Sequence, residues 1–155
     1  MRTDALELKI PPPLVAVILA ALMWASNFVV APFDVPFDVR LGAALAVLAV
    51  GLAIGGSAVV AFRRARTTVN PLKPEGAAVL VDTGVFRYTR NPMYLALALD
   101  LVAWAIFLAS VLALAIGFLF VLYIGRFQIS PEERILAAKF GDSYRDYTRR
   151  VRRWL

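Results

Sequence analysis

MYLALALDLVAWAIFLASVLALAIGFLFVLYIGRFQI, the stretch Met93–Ile129, runs for 37 residues with one acid, Asp100, and one base, Arg126. A single helix of that length would measure about 55 Å, against a bilayer hydrocarbon core about 30 Å thick. The run must therefore fold back, and the sequence places the reversal near Leu108–Val111 with almost no loop. That gives spans at 93–109 and 110–129. Two further apolar runs, 14–33 and 41–62, have the same character. The expected fold is all-α and integral to a membrane, one domain over 1–155 with four transmembrane helices. A cytoplasmic loop over 63–91 and short amphipathic C-terminal helices over 130–155 complete it.

Charge fixes the orientation. Four crossings put both termini and the 63–91 loop on one face, and that face collects every Lys and Arg except Arg40. The positive-inside rule makes it cytoplasmic, in a multi-pass protein with both termini inside. A hydrophobic content of 61% is too apolar for a soluble domain of 155 residues. The net charge of +6 lies beside membrane segments, so anionic headgroups are its expected partner and nucleic acid is not. With no Cys and no His, thiolate nucleophiles, disulfides and zinc–thiolate sites are excluded, and no metal is expected. The first run is too long for a signal-peptide core and reads as a retained helix. The sequence sets no oligomeric state.

Pro11-Pro12-Pro13 opens the first span, where proline is tolerated. Pro32 to Asp38 forms an outer turn; Asn70-Pro71, Lys73-Pro74 and Asp82-Thr83-Gly84 are turn signals in the loop. Gly51-x-x-x-Gly55, followed by Gly56 and Ser57, reads as a close helix–helix contact and not a nucleotide loop, since no strand precedes it. Asn27 reads as another helix contact. Asp100 lies seven residues past Met93, about 10 Å into the bilayer, with Gly55 and Ser57 expected at its depth. An acid there is either a polar helix contact or a substrate-facing group.

Two clusters carry the chemistry. In Arg90-Asn91-Pro92-Met93-Tyr94, Asn91 sits where an N-cap belongs and Pro92 at the first helical position. The free N–H groups of that helix start, with Arg87 and Arg90 nearby, suit an anion; the plainer alternative is a capped helix with interfacial anchors. Ser130-Pro131-Glu132-Glu133 reads as a capping box, with Ser130 as cap and Glu133 reaching back. Beyond a break at Phe140-Gly141-Asp142, with Asp142 as cap, Tyr144, Tyr147, Val151 and Trp154 share one face of a basic helix. That face either lies in the membrane interface or covers a cofactor.

The stretch Thr83–Tyr94, with Glu132-Glu133, Phe140-Gly141, Tyr144, Tyr147, Val151 and Trp154, resembles the isoprenylcysteine carboxyl methyltransferase and phospholipid N-methyltransferase superfamily. Its pattern is R-(H/N)-P-x-Y, a helical hairpin, E-E-x-x-L and an F-G-x-x-Y-x-x-Y tail, and the likeness covers about half the chain. This chain has Asn91 where the eukaryotic enzymes have histidine, and Ala96 where many relatives have glycine. The resemblance implies an S-adenosylmethionine-dependent membrane methyltransferase acting on a lipid or isoprenoid-linked small acceptor. It puts Arg90, Asn91 and Tyr94 at the cofactor's methionine end. Glu132 and Glu133 would meet its amino or ribose groups, while Tyr144 and Tyr147 line the pocket. A carboxylate acceptor needs no base; an amine or hydroxyl would use Glu132 or Asp100. An NADPH-dependent reductase related to membrane sterol reductases and a non-catalytic membrane module are the alternatives.

Overall fold

The computed structural model describes residues 6–66, 76 and 78–155. Arg2 and the turn signals at Asn70-Pro71 and Lys73-Pro74 lie outside them. Among the described residues all regular structure is helical. Helices α1 (Pro12–Ser26) and α2 (Phe37–Arg64) lead, through a 3₁₀ turn at Gly84–Arg87, to α3 (Pro92–Leu108) and α4 (Val111–Ile124). A π-turn, Gly125–Ile129, carries α4 into α5 (Ser130–Phe140), and α6 (Asp142–Arg150) follows.

The long apolar run reverses where its length demands, between Leu108 and Val111. Ala109 turns left-handed at φ +50°, and the Ser110 side chain accepts the Ala113 N–H at 3.2 Å, capping α4. Among the described residues two helical axes are long and apolar enough to cross a bilayer, α2 with 28 residues and the unbroken Val111–Phe140 with 30. Helices α1 and α3 are apolar but shorter, at 15 and 17 residues. The expectation of a first span over 14–33 is corrected, because α1 stops at Ser26. The Ser26 hydroxyl donates to the Met23 carbonyl at 2.7 Å, and successive tight turns through Val29 unwind the helix. Pro32 and Pro36 then bar its resumption, since a residue before proline is pushed out of the helical region.

Helix α2 packs most extensively on α3, and α1 on α4; the main core of Met23, Leu101, Ala105, Ala113, Phe120 and Ile124 joins α1, α3 and α4. On α2 only Ala44, Gly51 and Ala58 are buried, a stripe of every seventh residue toward α3. Much of the rest of that helix, Leu45, Val50, Leu52 and Val60 among it, is apolar and exposed. An apolar helix with so little buried surface needs lipid, or another apolar surface, around it.

Gly51 and Gly55 do bring the backbones together. A Cβ at Gly51 would fall 2.5 Å from Asp100 Oδ1 and 3.2 Å from the Ala96 carbonyl; one at Gly55 would lie 3.2 Å from the Ala96 Cβ. The expected neighbours of Asp100 are corrected accordingly: it faces Gly51, one turn from Gly55, and the Ser57 hydroxyl is spent on its own Ile54 carbonyl at 2.7 Å. The Ala96 carbonyl is fixed in its helix and cannot yield. Gly51→Val is therefore expected to destabilise the protein by about 1–3 kcal/mol, read as a fall in the thermal midpoint in detergent. An unchanged midpoint would mean that α2 and α3 separate without cost.

The capping box at Ser130 is also corrected. Ser130 is helical, at φ −61° and ψ −44°, and the axis runs straight through it. Pro131 removes one N–H from the ladder and crowds the carbonyl one turn back, that of Phe127. The helix responds by widening into the π-turn. There the Gly125 carbonyl accepts both the Ser130 N–H and its hydroxyl, the latter at 2.7 Å. The Phe127 carbonyl instead takes the Leu8 N–H at 3.0 Å. Glu7, its side chain almost buried, pairs there with Arg126 at 3.2 Å and Arg134 at 2.6 Å. The N-terminal segment is thus tied to the defect that proline creates.

Candidate functional site

Helix α3 begins where the sequence puts it, with Asn91 before Pro92, but Asn91 does not cap it with its side chain. The Asn91 amide donates to the Arg153 carbonyl at 2.9 Å, and the Arg90 N–H donates to the Arg152 carbonyl at 3.0 Å. Thr89, 1% exposed, donates weakly to the same Arg153 carbonyl and accepts the Asn91 N–H at 3.2 Å. The start of α3 is therefore stitched to the chain just after α6. That extended segment follows Val151, where α6 ends and the backbone turns to β geometry.

The tail folds over this helix start. Gly141, at φ +54°, makes the break between α5 and α6 in a conformation costly for any other residue, and Asp142 is the first helical residue, not the cap. Tyr144, Tyr147 and Val151 are buried together against Leu80, Leu136, Ala137 and Phe140, while Trp154 packs on the main core. The Tyr147 hydroxyl donates to the Phe86 carbonyl at 2.8 Å. Burial raises the Tyr147 phenol and pushes that of Tyr144 up to about 12, with the Glu133 charge adding to the second, so both stay protonated.

The two glutamates have separate partners. Glu133 lies between two guanidinium groups, 3.0 Å from Arg90 and 2.5 Å from Arg153. Glu132 accepts the Tyr94 hydroxyl at 2.5 Å and the Gln128 amide at 3.3 Å. Burial raises the Glu132 carboxyl to about 7; those two hydrogen bonds pull it back, and the neighbouring Glu133 charge adds to the rise.

Two clefts meet at Arg90. One, of about 440 Å³, runs between α2 and α3 from Glu132, Tyr94 and Asn91 past Gly55 and Gly56 to Asp100, and its lining is overwhelmingly apolar. The other, of about 460 Å³, lies between α5 and α6 and is lined by Arg90, Glu133, Tyr144, Arg145, Thr148 and Arg153. Both are of a size that holds small molecules. Arg90 Nε is buried and has no hydrogen-bond partner among the described residues. A group bearing both a carboxylate and an ammonium suits such a wall of guanidiniums around one glutamate, with Glu132 next to it in the chain.

Of the residues singled out in the sequence, Arg90, Asn91, Tyr94, Glu132, Glu133 and Tyr144 line one or other of the two clefts; Tyr147 lines neither and packs on Tyr144, its hydroxyl held by the Phe86 carbonyl. Asp100 is separate, at the far end of the apolar cleft, with Oδ1 buried and without a hydrogen-bond partner among the described residues. Thr89, Arg153 and Gln128 belong to the cluster and were not singled out for it. Arg153 is one of several arginines in the basic tail, and the sequence does not set it apart from them. For Gln128 a signal existed: it is the sole uncharged amide in an apolar stretch and stands four residues before Glu132.

A family model described as phospholipid methyltransferase matches residues 39–143, which contain nearly all of α2, the whole of α3 to α5 and most of the cluster. An uncharacterized protein of Haemophilus influenzae is 51% identical over 63 residues, which is 41% of this chain and 100% of that protein. No solved structure matches.

Proposed function

The chain belongs to the phospholipid methyltransferase family, and from that membership we propose that it transfers a methyl group from S-adenosylmethionine to a lipid or isoprenoid-linked acceptor at a carboxyl or amine group. Membership makes it a membrane-type protein and a methyltransferase; cofactor, acceptor and topology are our reading. Four crossings with cytoplasmic termini accommodate that reading, with α1 and α3 lengthened by their flanking turns or the bilayer thinned around them. The observation that carries it is the meeting of the polar α5–α6 cleft with the apolar α2–α3 cleft at Arg90.

The polar cleft suits the cofactor. Arg90 and Arg153 would hold its carboxylate beside Glu133, while Glu132, reached across Tyr94, would face its ammonium or ribose. Tyr144 would wall the cleft on the α6 side and help exclude water, with Tyr147 packed against it. When bound, S-adenosylmethionine supplies an electrophilic methyl, the sulfur–carbon bond breaking as the acceptor's bond to that carbon forms. The residues need supply no nucleophile, which suits a chain without Cys or His. Their work is alignment: the acceptor's chain would lie along α2 and α3, with its reacting end at Tyr94 and Glu132. For an amine acceptor, Glu132 is the group that takes the proton. A carboxylate acceptor requires none.

The Glu132 charge sets a pH dependence. The carboxyl is protonated below about pH 7, and a protonated carboxyl no longer attracts an ammonium. Affinity for S-adenosylhomocysteine, titrated by calorimetry on the purified protein in detergent, is expected to fall as pH drops from 8 to 6. Affinity flat across that range would take Glu132 out of the cofactor site, and absence of binding at every pH would overturn the cofactor reading.

A further inference from the structure

We propose that Gln128, delivered inward by the π-turn, is a positioning residue that holds Glu132 in the geometry that receives the cofactor. The proposal rests on the cofactor reading above and deepens it. Gln128 is 1% exposed, and its neighbour Ile129 is fully buried. Both lie in the five-residue turn Gly125–Ile129, where an extra residue per turn swings side chains round relative to a regular helix. The widened turn exists because Pro131 cannot donate its N–H, and it is held by Ser130 closing on the Gly125 carbonyl. Its product is an amide pointed along the axis at Glu132, 3.3 Å from the same Oε1 that receives the Tyr94 hydroxyl.

A carboxylate that accepts two hydrogen bonds on one oxygen has that oxygen fixed in place and its second oxygen left for another partner. Tyr94 comes from α3 and Gln128 from the π-turn, so Glu132 is clamped between two elements instead of pivoting on its own helix. The other charged or titratable groups around it are Glu133 on α5, Arg90 before α3, Arg153 after α6 and Tyr144 on α6. Arg90 and Arg153 are engaged by Glu133, and Tyr144 stays protonated. Gln128 is therefore a neutral donor stabilising the charged form of Glu132 without competing for it. A glutamine buried merely to fill space would have no effect on how Glu132 titrates.

The test is the pH profile of S-adenosylhomocysteine affinity, measured by calorimetry on the full chain in detergent for the wild type, Gln128→Met and Gln128→Glu. Met keeps the length and removes the donor. Glu keeps the length and adds a like charge, and serves if the Met variant does not fold. Removing the donor is expected to raise the pH midpoint by about one unit and weaken binding at pH 7 roughly fivefold; the Glu variant shifts further in the same direction. A folded variant with the wild-type midpoint overturns the role of Gln128 and leaves the cofactor reading standing. A wild type that binds nothing between pH 6 and 9 overturns both.

Discussion

Glu133→Gln is expected to weaken S-adenosylhomocysteine binding by about 100-fold at pH 7.5 and to loosen the C-terminal segment from the start of α3. Glu133 is the only carboxylate among the described residues in contact with Arg90 and Arg153, and it holds one on each side. The Arg153 contact is two-pronged, with Nε and Nη2 each donating to a different oxygen. Charge-assisted hydrogen bonds of this kind are worth about 1.5–3 kcal/mol each when shielded from water. Arg90 is largely shielded and Arg153 less so, which discounts the second contribution. Neutralising position 133 leaves two guanidiniums facing each other with only a neutral amide between them. A loss near 2.7 kcal/mol follows, equal to the stated factor of 100. Hydrogen exchange should report the same event at the Arg90 N–H, which is bonded to the Arg152 carbonyl. Faster exchange there together with intact affinity would show that the pair serves folding alone. Wild-type values for both would remove Glu133 from the site.

The parts of this molecule that were legible in the sequence are those that a bilayer and a helix period dictate locally. The reversal at Leu108–Val111 follows from a length that no single span accommodates, and α2 follows from an apolar run with small residues at 51 and 55. Arg90, Asn91, Tyr94 and the glutamates were found because their residue types and order resemble a family pattern. What misled was local chemistry that tertiary contacts override. Ser130-Pro131-Glu132-Glu133 has every feature of a helix start, yet the helix passes through it. A π-turn and the Leu8 N–H take up the groups that proline leaves unsatisfied, so no new start is needed. Asn91 has the side chain of a cap but spends it on the Arg153 carbonyl, because the returning chain offers an acceptor sixty residues away in sequence. The register of α2 against α3 was misjudged by one turn, which moved Asp100 from Gly55 to Gly51. Residue spacing within each helix does not determine where two helices meet.

Gly56→Leu is expected to abolish methyl transfer, with a loss of at least about 100-fold, while leaving cofactor binding intact and raising the thermal midpoint. The prediction separates two glycines only five residues apart. Gly51 is pressed against Asp100 and Ala96, so a side chain there breaks the helix contact. Gly56 lines the same apolar cleft, yet a Cβ added to it meets nothing within 4 Å. A leucine at 56 therefore projects into the cleft without disturbing α3. Replacing a helix-interior glycine with leucine also relieves a backbone entropy cost of about 0.5–1 kcal/mol. The variant should be more stable and less active, a combination that a misfolded protein does not produce. The loss arises because an acceptor whose chain is displaced by four carbons no longer brings its reacting atom into line, and a misplacement of about 1 Å can cost 100-fold. Polar-cleft residues such as Arg90 and Glu133 lie at the other end of the site, so S-adenosylhomocysteine affinity should match the wild type. Activity is measured as transfer of a labelled methyl from S-adenosylmethionine into lipid extract from the protein's own membrane. A stable Gly56→Leu protein with full transfer would mean that the acceptor reaches Arg90 by a route other than the groove between α2 and α3.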